Sequence, residues 1–196
     1  MPIRGYQALV KAQSSAVTLT DASTTMTGTN TIYTITDVTK RVLDANTAVV
    51  VKVAGSPVTS GFVVDRLNGK VTFASAAVRT VTVSGKYVVL STIVESKSFN
   101  FTGTRETQDI TRFQQSFREY EPLLLTGTAE LTLNYLTDSV FYAMLMNSEI
   151  KVLEYYPNDN LTPIRFYGLC TSNDITAPVE GIIEESISFQ VTTQIQ

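Results

Sequence analysis

Histidine and tryptophan are missing from this 196-residue chain, and Cys170 is its only cysteine. Without an imidazole, neither a Ser-His-Asp nor a Cys-His nucleophilic constellation can be built. One thiol cannot supply the ligands of a Cys/His zinc site, and no intrachain disulfide can form. Cys170 therefore reads as a small buried hydrophobe in a strand. Charge is scarce as well: 17% of residues are Asp, Glu, Lys or Arg, against roughly 25% in ordinary soluble proteins. The net charge is −3, and no basic run exceeds the pair Lys40-Arg41. Proteins that grip phosphates displace counterions with a basic patch. Its lack argues against tight nucleic-acid binding and does not exclude DNA as a passing cargo. No glycine-rich phosphate loop or dinucleotide fingerprint occurs. No stretch approaches the ~20 apolar residues of a membrane span, and Met1-Pro2-Ile3-Arg4-Gly5 does not open a signal peptide. The expectation is a soluble protein made in a reducing cytoplasm, with no membrane insertion, no cofactor and no enzymatic activity.

What stands in place of charge is threonine, with 29 residues, joined by many serines and asparagines. Threonine suits a half-buried pleated surface, whereas a helical protein would use Glu and Lys. The composition points to a mainly β protein. From about residue 14 to 90 the chain is rich in Thr, Val and Ala, with strand-like runs at 31–35, 48–53, 61–65, 70–73 and 78–89. Asn68-Gly69 between Val64 and Phe73 is a strong hairpin signal, because the pair accepts the two positive φ angles of a type I′ turn. A two-residue loop there sets Leu67 opposite Lys70 and Val64 opposite Phe73. Residues 37–41 read as a short helical turn. Regular strand spacing of this kind suits a small sandwich or barrel.

Longer elements follow in residues 91–196. Ala129, Leu131, Leu133 and Tyr135 alternate with Thr128, Glu130, Thr132 and Asn134, the pattern of a half-buried antiparallel strand. Ile187, Phe189 and Val191 repeat it against Ser186, Ser188 and Gln190. Residues 149–156 and 164–170 are two more strands about the turn-forming Pro157-Asn158-Asp159-Asn160. Phe99 and Phe101 mark a fifth. One segment breaks the period: Thr137 or Asp138 caps a helix of about ten residues facing Val140, Phe141, Met144 and Leu145 inward. The order describes an α+β sandwich with a single flanking helix.

Paired carboxylates are the remaining formal route to catalysis, among Asp109, Glu154, Glu184 and Glu185. Glu184 and Glu185 are strand neighbours, so they point to opposite faces. The turn Asn158-Asp159-Asn160 lacks the spaced ligands of a calcium loop. Asn100-Phe101-Thr102 and Asn160-Leu161-Thr162 match glycosylation acceptors, but carry no weight without a secretory signal. The unusual segment is 104–122, which mixes charges of both signs with three aromatics between two strands. A loop of that length inside a compact domain is usually functional or belongs to an interface, and Arg and aromatics are enriched at protein–protein contacts.

Across about residues 94–193 the chain resembles the tail tube (major tail) proteins of long-tailed bacteriophages. The pieces that carry the resemblance are Phe99-Asn100-Phe101-Thr102-Gly103, Asp109-Ile110-Thr111-Arg112-Phe113 and Leu125-Thr126-Gly127-Thr128-Ala129-Glu130-Leu131. The helix from Asp138, Phe166-Tyr167-Gly168 and the run from Val179 to Phe189 follow in order. The resemblance implies a tail-tube-like β-sandwich or barrel with one flanking helix, assembling as stacked hexameric rings around a lumen through which DNA passes. It implies partners such as the tape measure and terminator proteins, and a place in the virion tail. Residues 104–122 become the loop that reaches a neighbouring ring, with Arg105, Asp109, Arg112, Phe113, Arg118 and Tyr120 at the subunit interface. Residues 1–13 supply the first strand of the tube core, 91–196 the rest of it, and 14–90 an inserted all-β, Ig-like decoration domain. Two other readings fit the same composition: a terminator or secretion-tube ring of the same fold, or a β-sandwich receptor- or carbohydrate-binding module. The lack of tryptophan weighs against the last.

Overall fold

The computed structural model describes residues 9–27, 31–93, 96–111, 117–118, 120–135, 140–157 and 162–192. The protein is mainly β, as its composition requires, with one α-helix among the described residues. Its contacts divide it into two compact units, residues 1–94 with 149–167 and 195–196, and residues 95–148 with 168–194.

In the first unit, β1 (Leu9–Thr27) is the organising strand. Leu9–Ala12 pair with β10 (Ile150–Tyr156), and residues 11–23 pair with β7 (Val81–Thr92) on the other side. Thr24–Thr27 then turn to β2 (Ile32–Ile35) in a second sheet. A strand that changes sheets at an irregularity is how orthogonal sandwiches make corners; here the register slips between Leu19 and Ala22. β3 (Val50–Val53) and β4 (Ser56–Val58) extend the β7 edge. β5 (Phe62–Asp65) and β6 (Lys70–Phe73) extend β2. The two sheets enclose Leu19, Ile35, Val51, Val71 and Val83, with Tyr33 and Phe73 edge to face at 5.6 Å. The helical turn expected at 37–41 is a 3-10 turn, Val38–Lys40, capped by Asp37.

The hairpin at Asn68-Gly69 forms, but two positions out of the expected register. Asp65 faces Lys70, Phe62 faces Phe73 and Val64 faces Val71, so the loop is residues 66–69 rather than two residues. Only Gly69 has positive φ, +60°, so the turn is not type I′. The reason is tertiary. Leu67, 2% exposed, leaves the ladder to pack with Val42, Val88, Val152 and Tyr167. Arg66 spans the carbonyls of Asp44, Ala45 and Thr47, each at 2.9 Å. Asp65 accepts from Asn68 N at 3.2 Å and Nδ2 at 2.8 Å. Burying a leucine is worth about 1.5–3 kcal/mol, more than a hairpin gains from a tighter turn.

This second cluster ties segment 41–90 to strands from late in the chain. The buried Tyr167 hydroxyl donates to Leu43 O, and Arg165 donates to Leu67 O at 3.1 Å. Gln13 donates to Asp44 at 3.1 Å and accepts from Val152 N at 3.2 Å. Residues 13–14 and 90–91 fall inside β1 and β7.

In the second unit, residues 168–176 of β11 (Ile164–Thr176) pair with β12 (Glu184–Val191), β12 with β9 (Tyr120–Asn134), and β9 with β8 (Ser96–Asp109). The alternating strands bury the faces expected of them: Ala129, Leu131, Leu133, Ile187 and Phe189 are each 1% exposed. The helix, α1 (Val140–Asn147), buries Phe141 and Met144, and Phe141 meets Phe189 edge to face at 5.6 Å. Leu145 is half-buried. The expected cap at Thr137 or Asp138 and the Val140 side chain lie outside the described residues. Cys170 is buried, as read from the sequence, and desolvation pushes its thiol up to about 11.

Candidate assembly interface

The segment expected as one long loop, 104–122, is the outer part of a β-hairpin. The β8–β9 ladder runs from Ser96↔Leu133 past Gly103↔Gly127 and out to Asp109↔Tyr120. Residues 110–119 are the stretch of sequence between its two strands. Alternation of Thr, Arg, Glu and Gln in 104–109 favours extended backbone, and nothing in it is helical in period. Near its base the hairpin has an inner face, where Phe99 and Phe101 are half-buried opposite Leu131 and Ala129. From Thr102 to Asp109 every side chain is exposed, on both faces of the ribbon. Six strand residues beyond Gly103 span about 20 Å.

The six interface candidates fall differently on this arm. Arg105 stands in the ladder opposite Leu125, beside a register slip between Arg105 and Thr107, and is exposed. Arg118 is exposed, between the two strands in sequence. Asp109 ends β8 and is used within the chain: its carboxylate accepts from Thr111 N at 2.9 Å and from the Thr111 hydroxyl. These bonds, the hydroxyl's first, hold it below the usual carboxylate range. Tyr120 pairs with Asp109 through its backbone, and its side chain lies outside the described residues. Arg112 and Phe113 also lie outside them.

Two apolar residues at the arm's end were not singled out from the sequence. Phe117 is 87% exposed and Ile110 37%. The signal was present in the aromatic count of 104–122, but choosing among those aromatics required knowing that the strands continue to Asp109 and Tyr120. A second exposed apolar stretch lies between β11 and β12, where Val179 is fully exposed and Ile182 63% exposed. The helix turns Tyr142 and Met146 outward.

The formal catalytic carboxylates are each engaged separately. Glu154, 2% exposed, binds Arg165 and accepts from the Tyr156 hydroxyl at 2.8 Å. Glu184 pairs with Lys97 at 2.5 Å, while Glu185, on the opposite face, is buried and accepts from Asn173 at 2.7 Å. No group of three His, Cys, Asp or Glu side chains among the described residues is placed to hold a metal ion. No described helix is long and apolar enough to cross a membrane.

No protein-family model and no curated protein matches the chain. Among solved structures, the chain is similar to a chain of the tail of an empty gene transfer agent particle with C6 symmetry, at 13% identity and a TM-score of 0.49. That likeness covers 55% of this chain and 84% of the other. A chain of the native gene transfer agent virion is similar at 14% identity and a TM-score of 0.48, over 54% of this chain and 86% of that one. A likeness of this degree assigns neither family nor function.

Proposed function

We propose that this chain is a non-enzymatic, self-assembling subunit of a phage tail tube, and that the β8–β9 arm is what joins one subunit to the next. The observation that carries the reading is a two-stranded ribbon about 20 Å long with every described β8 side chain from Thr102 to Asp109 exposed. An isolated hairpin is marginal in water. A ribbon whose described β8 side chains from Thr102 to Asp109 bury nothing, and which carries Phe117 at its end 87% exposed, gains its stability from a neighbour. The order of sequence pieces resembling tail tube proteins supports the same reading, with stacked hexameric rings, tape measure and terminator proteins as partners, and a place in the virion tail. A net charge of −3 favours a conduit that repels DNA phosphates and lets the genome slide. Residues 14–90, the inserted part, decorate the tube's outer surface while sharing a core with Val152 and Tyr167.

Arg105, Arg112, Phe113, Phe117, Arg118 and Tyr120 are the proposed contacts; Asp109 shapes the arm's end rather than meeting a partner. Phe117 and Arg118 replaced together by Ala test this. Aromatic and Arg anchors at interface hot spots are worth about 2 kcal/mol or more each, whereas exposed surface substitutions shift monomer stability by about 0.5 kcal/mol or less. The expected result is an unchanged melting temperature with no tubes by electron microscopy at concentrations where the parent forms them. Tubes of normal length in the variant, or a parent that stays monomeric at every concentration, overturn the proposal.

A further inference from the structure

The two sheets of the first unit end in differently guarded strands. β4 is the outer strand of one sheet and β5 of the other. Backbone direction alternates along an antiparallel ladder, so a single bond sets which residues face outward. Ala54 N donates to Thr80 O at 2.8 Å; Lys52 therefore faces β7 as well, Val51 and Val53 bind Val58 and Ser56, and Pro57 is the β4 residue turned outward. Proline has no N–H to offer a further strand, which is one way proteins blunt an edge. In β5 the direction is set by Ala74 N, which donates to Gly61 O at 3.0 Å, while Phe73 N donates the other way, to Thr31 O at 2.9 Å. Gly61, Val63 and Asp65 face β6, and the N–H and C=O of Phe62 and Val64 face outward, with no partner among the described residues. Phe62-Val63-Val64-Asp65 contains no proline, and its ladder with β6 has no register slip. Its one charge stands at the end, where Asp65 is turned onto Asn68.

An unblunted edge is a template for another strand, and this one is complementary to itself. Phe62 and Val64 are half-buried against the core, whereas Val63 points the other way and is 73% exposed. With a two-fold axis through Val63, Phe62 of one copy faces Val64 of the other, and each such pair exchanges both of its N–H···O=C bonds. The two Val63 side chains meet at the axis, in the non-hydrogen-bonded position where side chains stand closest. Asp65 of one copy faces Gly61 of the other, so no like charges oppose each other. Apolar residues meet apolar residues along the whole register, and the outward N–H and C=O groups are satisfied without a change in β5. We propose that β5 pairs antiparallel with β5 of a second copy of this chain, in this register. A two-fold contact closes on itself, so it joins subunits in pairs and is independent of the contact made by the β8–β9 arm.

Sedimentation velocity on the full chain carrying Phe117→Ala and Arg118→Ala, which removes the arm's anchors, tests this. A monomer–dimer equilibrium that moves to dimer with rising concentration is expected. On that background Val63→Lys and Val63→Glu each set like charges opposite one another at the axis. Each should abolish the dimer and leave the melting temperature unchanged, because Val63 is exposed. Mixing the two should restore a dimer, now with opposite charges facing. Val63→Cys in the otherwise unchanged chain reads the same contact whatever the arm does. Cα atoms in a non-hydrogen-bonded pair stand within disulfide range and Cys170 is buried, so mild oxidation should give a crosslinked dimer. A chain that stays monomeric at every concentration, a dimer undiminished by Val63→Lys and Val63→Glu, a mixture that stays monomeric, or no crosslink through Val63→Cys overturns the proposal.

Discussion

Two hairpins in this chain begin from similar material and end in opposite situations. β5–β6 is short, and its four-residue loop is fully employed: Leu67 is in a core, Arg66 binds three carbonyls, and Asp65 holds Asn68. The outer β8–β9 arm is longer and regular, yet its described β8 side chains touch little beyond the ladder itself, apart from Asp109 on Thr111. In the first, a loop with poor intrinsic turn geometry is fixed by what it buries. In the second, the described β8 side chains of a sound ladder are left without burial. Solvent exposure of the described β8 side chains, not loop length, separates the two.

Removing the whole segment that contains the first hairpin is the severest test of this contrast. Deleting residues 14–90 and rejoining with a Gly-Ser linker takes away Leu43 O from the Tyr167 hydroxyl, Leu67 O from Arg165 and Asp44 from Gln13. It also strips Val42, Leu67 and Val88 from Val152. Buried polar groups left without partners cost about 1–3 kcal/mol each, so the share of the thermal transition that comes from the first unit, followed by circular dichroism, is expected to be lost. A deletion variant in which Val152 and Tyr167 stay protected in hydrogen exchange would mean that these strands do not need the deleted segment.

A single substitution reaches the same point more gently. Leu67→Ala is expected to lower unfolding free energy in a urea titration by about 2–5 kcal/mol, the range for truncating a buried leucine. Gly69→Ala tests the register of the loop, since a Cβ there would stand 2.7 Å from Arg41 O in a backbone at φ +60°, a strain of about 1–3 kcal/mol. The type I′ register read from the sequence would put both residues on the surface and make the leucine change nearly silent.

The smallest effect is expected at the arm's end. The Asp109 carboxylate is held below the ordinary carboxylate value of 3.8 by the hydroxyl and backbone N–H of Thr111. A depressed carboxylate contributes stability above its unfolded pKa and loses that contribution as pH falls through the folded value. The Thr111 turn should therefore loosen only in acid, below about pH 4. Carboxyl carbon shifts read by NMR across that range should show Asp109 titrating late, and Thr111→Val should return it toward 3.8. Titration of Asp109 at its ordinary value in the parent chain would remove the turn from the arm.

The sequence by itself determined what is local and periodic. Thr-rich composition makes strands, period-two alternation chose the buried faces of β9 and β12, and the broken period placed α1 with Phe141 and Met144 inward. Asn68-Gly69 located a turn, and neighbouring strand positions sent Glu184 and Glu185 to opposite faces. Tertiary structure decided whatever depended on a distant partner. It moved the β5–β6 register because Leu67 finds Val152 and Tyr167 some hundred residues later in the chain, carried the β8–β9 ladder out to Asp109↔Tyr120, and bent β1 from one sheet into the other at Asp21. Periodicity states which side of a strand is apolar. Only packing states what that side meets, or, for the arm, that the described β8 side chains from Thr102 to Asp109 stay exposed.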